Sequence, residues 1–268
     1  MLSVGRVIAV ANQKGGVGKT TTAINIAAGL AAAERKTLLI DGDPQGNASS
    51  GVGLQRGGEE PTSYDVLLDP SLAELAIVRG VQFANLDVLP SSPDLAAAEI
   101  ELAGVDGREQ RMRQAVDRLR PVYDYIVIDC PPSLGLITLN MLVAADTVLI
   151  PLQCEYYALE GLSQLIGTIS TIQQGASPSL ALEGVVLTMF DSRLNLSRQV
   201  AEDARAHFGD LVFQSVIPRN VRLAEAPSFG KPIISYDLGS VGAKAYLGVV
   251  NEIILKTDST KPADLAVV

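Results

Sequence analysis

Short runs rich in Val, Ile and Leu return at intervals along the chain. They lie at 6–11 (RVIAVA), 37–41 (TLLID), 86–90 (LDVLP), 125–129 (YIVID), 147–151 (TVLIP), 184–190 (GVVLTMF) and 212–218 (VFQSVIP). Their apolar residues are nearly continuous rather than alternating, the pattern of strands covered on both faces. Between them the apolar positions fall at helical spacing, over 18–33, 93–103, 107–120, 136–145, 157–174, 196–207 and 242–256. Strand and helix therefore alternate. The expectation is an α/β fold, a mainly parallel sheet with helices on both faces, with ligands at the carboxyl ends of the strands.

Two segments break the pattern. Residues 44–64 are rich in Gly, Ser and Gln and read as a mobile loop, most flexible over RGGEEP at 56–61. Residues 257–268 mix polar and small side chains and read as a flexible, frayed tail after a single domain over 1–256. No internal repeat is visible.

Composition narrows the class. A chain of 268 residues that is 47% apolar suits one large domain with a sizeable core. With 4% aromatic residues and no Trp, that core is expected to be aliphatic. No window approaches the roughly 18 apolar residues of a membrane span, and no basic region followed by a long apolar stretch marks a signal peptide. The net charge of −9 argues against a chain that is basic throughout. The balance shifts over 190–250, where seven Lys and Arg meet six Asp and Glu. Cys130 and Cys154 lack metal-ligand spacing and read as core thiols of a reduced, cytoplasmic protein. The single His207 falls in a polar helical stretch and makes neither a triad nor a metal site.

The stretch VANQKGGVGKTT at 10–21 carries the first chemistry. It follows the first strand and opens the first helix, the context a phosphate-binding loop requires. Backbone N–H groups of Gly15, Gly16, Val17 and Gly18 are placed to cradle phosphates, helped by the helix N-terminus. Lys19 is expected to reach the β- and γ-phosphates. The Thr20 hydroxyl is expected to ligate Mg²⁺, with Thr21 beside it. The usual pattern begins with glycine, and Gln13 stands there instead. An extra lysine, Lys14, lies inside the loop.

Two strand ends carry acids. YIVID closes with Asp129, suited to a magnesium water, and two prolines follow at 131–132. LLIDGDPQGNAS at 38–49 places Asp41 and Asp43 on one face where the second strand ends. One of them could orient an attacking water; two solvated turn acids fit the same spacing.

These motifs together resemble a known family. KGGVGKTT, DGDPQGN, IDCPPSLG, PLQCEYYALEGL and IPRNVRLAEAPSFGKPI follow the motif order of the ParA/Soj partitioning ATPases, from about residue 6 to 255. That family belongs with the MinD and nitrogenase iron-protein group of deviant Walker A P-loop NTPases. The resemblance implies ATP and Mg²⁺ as cofactors and an ATP-sandwiched homodimer in which Lys14 reaches the partner's nucleotide. It implies that Asp43 positions the hydrolytic water and that Asp41 supports the metal site held by Thr20 and Asp129. It places Pro218, Arg219 and Asn220 at the adenine pocket and Arg193 and Arg222 among DNA contacts. The bland reading of each arginine is a solvated charge.

The implied function is chromosome or plasmid segregation. An ATP-bound dimer binds nucleoid DNA without sequence preference and leaves it when a ParB-type protein stimulates a weak ATPase. Almost no chain precedes the first strand, so the short type without an N-terminal helix-turn-helix is expected. A MinD-like membrane ATPase is the alternative. It needs a basic amphipathic C-terminal helix, and NEIILKTDSTKPADLAVV carries two lysines against three acids. An iron–sulfur reductase needs cluster cysteines in a different context.

Overall fold

The computed structural model describes residues 5–55, 60–155 and 158–260. Six strands form one sheet: β1 (Arg6–Val10), β2 (Thr37–Asp41), β3 (Leu86–Leu89), β4 (Tyr125–Asp129), β5 (Thr147–Gln153) and β6 (Ala181–Thr188). Their spatial order is β3-β2-β4-β1-β5-β6, and every pair is parallel. The chain leaves β1 toward one edge and later returns to build the other. The loop after β1 therefore opens at the point where the strand order reverses, the usual ligand crevice of such sheets.

The helices are α1 (Lys19–Ala32), α2 (Asn47–Gly51), α3 (Ser63–Leu68), α4 (Ala98–Glu101), α5 (Arg111–Leu119) and α6 (Leu136–Ala144), then α7 (Ala158–Gln174), α8 (Asn195–Phe208), α9 (Val221–Glu225), α10 (Ile233–Tyr236) and α11 (Val241–Thr260). They bury both faces of the sheet, which is why the strands read as continuous apolar runs. Val7 and Ala9 of β1 join Ile126 and Ile128 in a core with Met112, Val116 and Met141 of α5 and α6. Ile8 and Val10 face the other way, into a core with Ile24 and Ile26 of α1 and Val249 and Ile253 of α11.

The structure departs from the sequence pattern in four places. Residues 212–218 run beside β6 without becoming a strand. Only Val212 and Pro218 form isolated bridges, to Val185 and Phe190. Between them the Gln214 and Ser215 N–H groups donate to the Glu252 carboxylate of α11, at 2.9 and 2.8 Å, instead of to a neighbouring strand. The helix expected over 93–103 is a 3₁₀ turn, Pro93–Ala97, followed by the single turn of α4. Within 44–64 the chain is anchored rather than loose: α2 forms, and its Ser49 is buried. RGGEEP falls largely outside the described residues. Helix α11 continues to Thr260, and the Thr257 hydroxyl accepts from Arg6 Nη1 at 2.7 Å. The rest of the expected tail, 261–268, also lies outside the described residues.

Candidate functional site

The loop between β1 and α1 is pinned to β5 and to the edge strand β6. Asn12 Nδ2 donates to the Pro151 carbonyl at 2.8 Å, and Asn12 Oδ1 accepts from the Lys14 N–H at 3.0 Å. The Thr188 hydroxyl donates to the Val17 carbonyl at 2.9 Å. Gly16 and Gly18 take φ of +73° and +89°, a region that disfavours any side chain. A Cβ built on Gly15, Gly16 or Gly18 meets nothing within 4 Å, so the space above the loop is open. Helix α1 begins at Lys19 with no side chain capping it. The unused N–H groups of its first turn, which includes Thr20 and Thr21, make an anion site there.

The two lysines of the loop go different ways. Lys19 is buried and its Nζ donates to the Lys14 carbonyl at 3.1 Å, closing the loop on itself. Burial lowers its pKa, against the pull of Asp129, Cys130 and Asp43. Lys14 turns outward, where its Nζ lies 3.6 Å from Glu155 Oε2.

Asp41 and Asp129 are partners in register at the ends of β2 and β4. Gly42 follows Asp41 because a Cβ there would come within 2.8 Å of the Asp129 carbonyl. Asp41 is satisfied by its own chain. Its Oδ2 accepts from the Ser49 N–H and hydroxyl at 2.7 and 2.6 Å, and its Oδ1 accepts from the Asp43 N–H at 3.2 Å. Neither Asp129 oxygen has a hydrogen-bond partner of good geometry, and the residue is fully buried. Burial, then the charge of Asp41, push the Asp129 carboxyl well above the usual range, with the nearby Thr20 hydroxyl opposing. Burial also raises Asp41, while its Ser49 bonds oppose the rise. An unpartnered buried carboxylate beside a buried lysine and a threonine hydroxyl fits a divalent cation carrying phosphates. Asp43 is nearly buried, and its Oδ1 accepts from the Gln45 N–H at 2.9 Å.

A cavity of about 250 Å³ adjoins the loop, lined among others by Gly18, Thr21, Thr188, Pro218, Arg219 and Asn220. Its floor includes Tyr246, whose hydroxyl lies 3.0 Å from Thr22 Oγ1. The structure thus brings the IPRN segment beside the phosphate loop. Asn220 Oδ1 accepts from the Arg222 N–H at 2.9 Å and caps α9. Arg219 reaches out to Glu155, at 3.7 Å.

Arg193 and Arg222 do not line this cavity; they lie on the turn before α8 and on α9, whose Leu223 and Ala224 do. Both are exposed, and both are already paired. Arg193 holds Asp191 through two bonds of 2.9 and 2.7 Å, and these keep the Asp191 carboxyl down at about 2. Arg222 contacts Glu225 at 2.9 Å and Asp237 at 3.5 Å.

Cys130 and Cys154 are buried free thiols. Burial raises both, Cys154 to about 11. His207 is exposed. Sequence reasoning singles out none of Ser49, Thr188, Glu155 and Tyr246, although Ser49 and Glu155 lie inside the quoted stretches LLIDGDPQGNAS and PLQCEYYALEGL. Each acts through a tertiary contact, to the loop, to an acid or, for Tyr246, to Thr22 of α1, and no local spacing marks such a contact. Tyr156 and Tyr157 of the PLQCEYYALEGL motif lie outside the described residues.

A parallel α/β sheet with a lysine-bearing glycine loop after β1 and acids ending β2 and β4 defines a P-loop nucleoside triphosphatase. The family model described as an AAA domain matches residues 5–182. The chain is 57% identical over 260 residues to the chromosome partitioning protein ParA of Myxococcus xanthus, covering 97% of this chain and 91% of that protein. It is 52% identical over 250 residues to the sporulation initiation inhibitor protein Soj of Bacillus subtilis, covering 93% of this chain and 98% of that one. A Mycobacterium smegmatis structure described as cobyrinic acid a,c-diamide synthase with bound ATP analog and magnesium superposes with a TM-score of 0.81. Its sequence is 39% identical, with 96% of this chain and 97% of that one covered. The chain belongs to the ParA/Soj family of P-loop ATPases. Among the described residues no helix is long and apolar enough to cross a membrane.

Proposed function

We propose that the protein is a partitioning ATPase whose ATP-bound form is a homodimer that holds DNA without sequence preference and releases it after hydrolysis. The observation that carries this reading is the divergence of Lys14 and Lys19. One loop needs one lysine for its own phosphates, and the buried Lys19 fills that place. Lys14 is directed to the surface, partly exposed beside Glu155, and on this reading it serves a second subunit's nucleotide. A cation delivered across an interface neutralises charge on the transferring phosphoryl group, as an arginine finger does.

The other roles follow from the chain's own groups. The N–H groups of Gly15 through Thr21 bind phosphate oxygens, and the cavity beside Pro218, Arg219 and Asn220 takes the adenine. Thr20 and Asp129 would hold Mg²⁺, while Asp41, saturated by Ser49 and Asp43, supports that site without facing the ion. The cation supplies charge neutralisation and polarisation of the phosphoryl group. Asp43 accepts a hydrogen bond from the attacking water and orients it. Arg193 and Arg222 contact DNA phosphates once two copies present them together. A ParB-type protein stimulates turnover, and the protein works in the cytoplasm on the nucleoid.

Light scattering tests the core of this reading. ATP with Mg²⁺ should dimerise the wild type, and ADP with Mg²⁺ should leave it monomeric. Lys14→Ala should bind nucleotide and stay monomeric, whereas Lys19→Ala should lose nucleotide affinity. A Lys14→Ala variant that dimerises like wild type would remove the cross-subunit role.

A further inference from the structure

Glu155 follows β5, on the short segment leading toward α7, and its carboxylate collects contacts from three directions. Lys14 Nζ of the phosphate loop lies 3.6 Å from Oε2. Arg219 Nη2, from the wall of the base cavity, lies 3.7 Å from Oε1. Gln153 Nε2 donates to Oε1 at 2.6 Å. A further cavity of about 410 Å³ opens around this cluster, lined by Lys14, Glu155, Arg219, Met189, Leu194 and Leu196. Leu194 and Leu196 are exposed there, at 55% and 42%.

We propose that Glu155 is a positioning residue that holds Lys14 within its own chain until nucleotide and a second copy compete for it. The proposal rests on the reading of Lys14 as a cross-subunit lysine. A lysine destined for another subunit's phosphates is a flexible cation with a strongly hydrated head. Left free, it could fold back toward the anion site of its own loop, where Lys19 already serves. The Glu155 carboxylate keeps it outward, on the side of the exposed Leu194 and Leu196. Both partners are partly exposed, with side-chain exposures of 37% and 48%. An ion pair of that kind is weak and easily broken. Weakness suits the task, because the hold must yield when phosphates carrying several negative charges approach from a second subunit.

The same carboxylate touches Arg219, so the phosphate loop and the base-cavity wall share one counter-charge.

Glu155→Gln keeps the shape and removes the charge at an exposed position, so the variant folds. It should lower the concentration of a non-hydrolysed ATP analogue needed for half-maximal dimerisation by about two- to fivefold, the range of an exposed ion pair. The difference should shrink as salt rises, because the wild-type pair is screened. Affinity for ADP, measured on the monomer by fluorescence of a labelled nucleotide, should stay unchanged. An unchanged or raised dimerisation midpoint overturns the proposal. An equal gain in ADP affinity also overturns it, since general charge removal would then be the cause. Lys14→Ala is measured in parallel: if it dimerises like wild type, the cross-subunit reading has failed and the hold on Lys14 falls with it.

Discussion

Asp41 and Asp129 end adjacent parallel strands at one register position, and the fold treats their carboxylates oppositely. Asp41 receives Ser49 and Asp43 donors, whereas Asp129 is fully buried with no donor of good geometry on either oxygen and only the Thr20 hydroxyl nearby. Asp41→Asn would turn an amide NH₂ or a single oxygen toward donors that need two accepting atoms. It should lower nucleotide-free stability by about 1–3 kcal/mol in urea unfolding. Asp129→Asn replaces a carboxyl whose charged form burial disfavours, so nucleotide-free stability should hold or rise. Magnesium-dependent ATP affinity should fall roughly tenfold or more in that variant. Equal destabilisation of both variants would contradict the division of roles.

Asp43→Ala separates binding from turnover. No phosphate contact is assigned to Asp43, so ATP affinity and ATP-dependent dimerisation should survive. Turnover should drop by about a hundredfold or more, the lower range for a positioned base. Phosphate release with light scattering on the same sample reads both. Wild-type turnover in Asp43→Ala would move the water-orienting role elsewhere.

The pairing of Arg193 with Asp191 makes a prediction in two directions. Arg193→Ala with Arg222→Ala should weaken binding about equally for unrelated DNA sequences. The slope of log affinity against log salt should flatten by about 0.9 for each DNA phosphate that is no longer neutralised. Asp191→Asn removes the carboxylate that occupies the Arg193 guanidinium, through bonds of 2.9 and 2.7 Å. DNA affinity should then rise several-fold. Titrations across a salt series check both, and an Asp191→Asn variant with unchanged affinity would return Arg193 to a solvated surface charge.

Asp87 provides a stability prediction away from the nucleotide site. This buried acid of β3 takes the Tyr123 hydroxyl at 2.8 Å, the Gly80 N–H at 2.9 Å and Lys36 Nζ at 2.9 Å. Burial pushes its carboxyl up, but Lys36, Gly80 and Tyr123 together hold it below the usual carboxylate range. A carboxyl lowered on folding stabilises above its unfolded pKa, and that contribution is lost as pH falls through the folded pKa. Asp87→Asn should therefore be less stable than wild type at pH 7, and the gap should close as pH drops below about 4. Urea unfolding of both proteins across that range measures it.

How much of this was legible in the sequence depends on the range of the forces involved. β1 through β6 were visible because burial on both faces demands continuous apolar runs, and α1 because a glycine loop punctuates its start. Residues 212–218 looked like a seventh strand, since the pattern records burial and not the Glu252 carboxylate that captures Gln214 and Ser215. Ser49 looked like loop because its reason for being buried is Asp41, on another element. Lys14 stood out as an anomaly of its motif, but Glu155 belongs to the far side of β5, a distant part of the chain, and nothing local points to it.

On this account ATP, and not nucleotide in general, creates a DNA-binding form of a protein with a net charge of −9. Two joined copies double the arginine surface, and joint binding gains from effective concentration without new contact chemistry. The most direct measurement is sedimentation with DNA of unrelated sequence, with Mg²⁺ throughout, in ATP, in ADP and without nucleotide. The protein should pellet with DNA in ATP alone, and the amount should fall steeply as salt rises. Equal sedimentation in all three conditions, or none in ATP at low salt, would contradict the account.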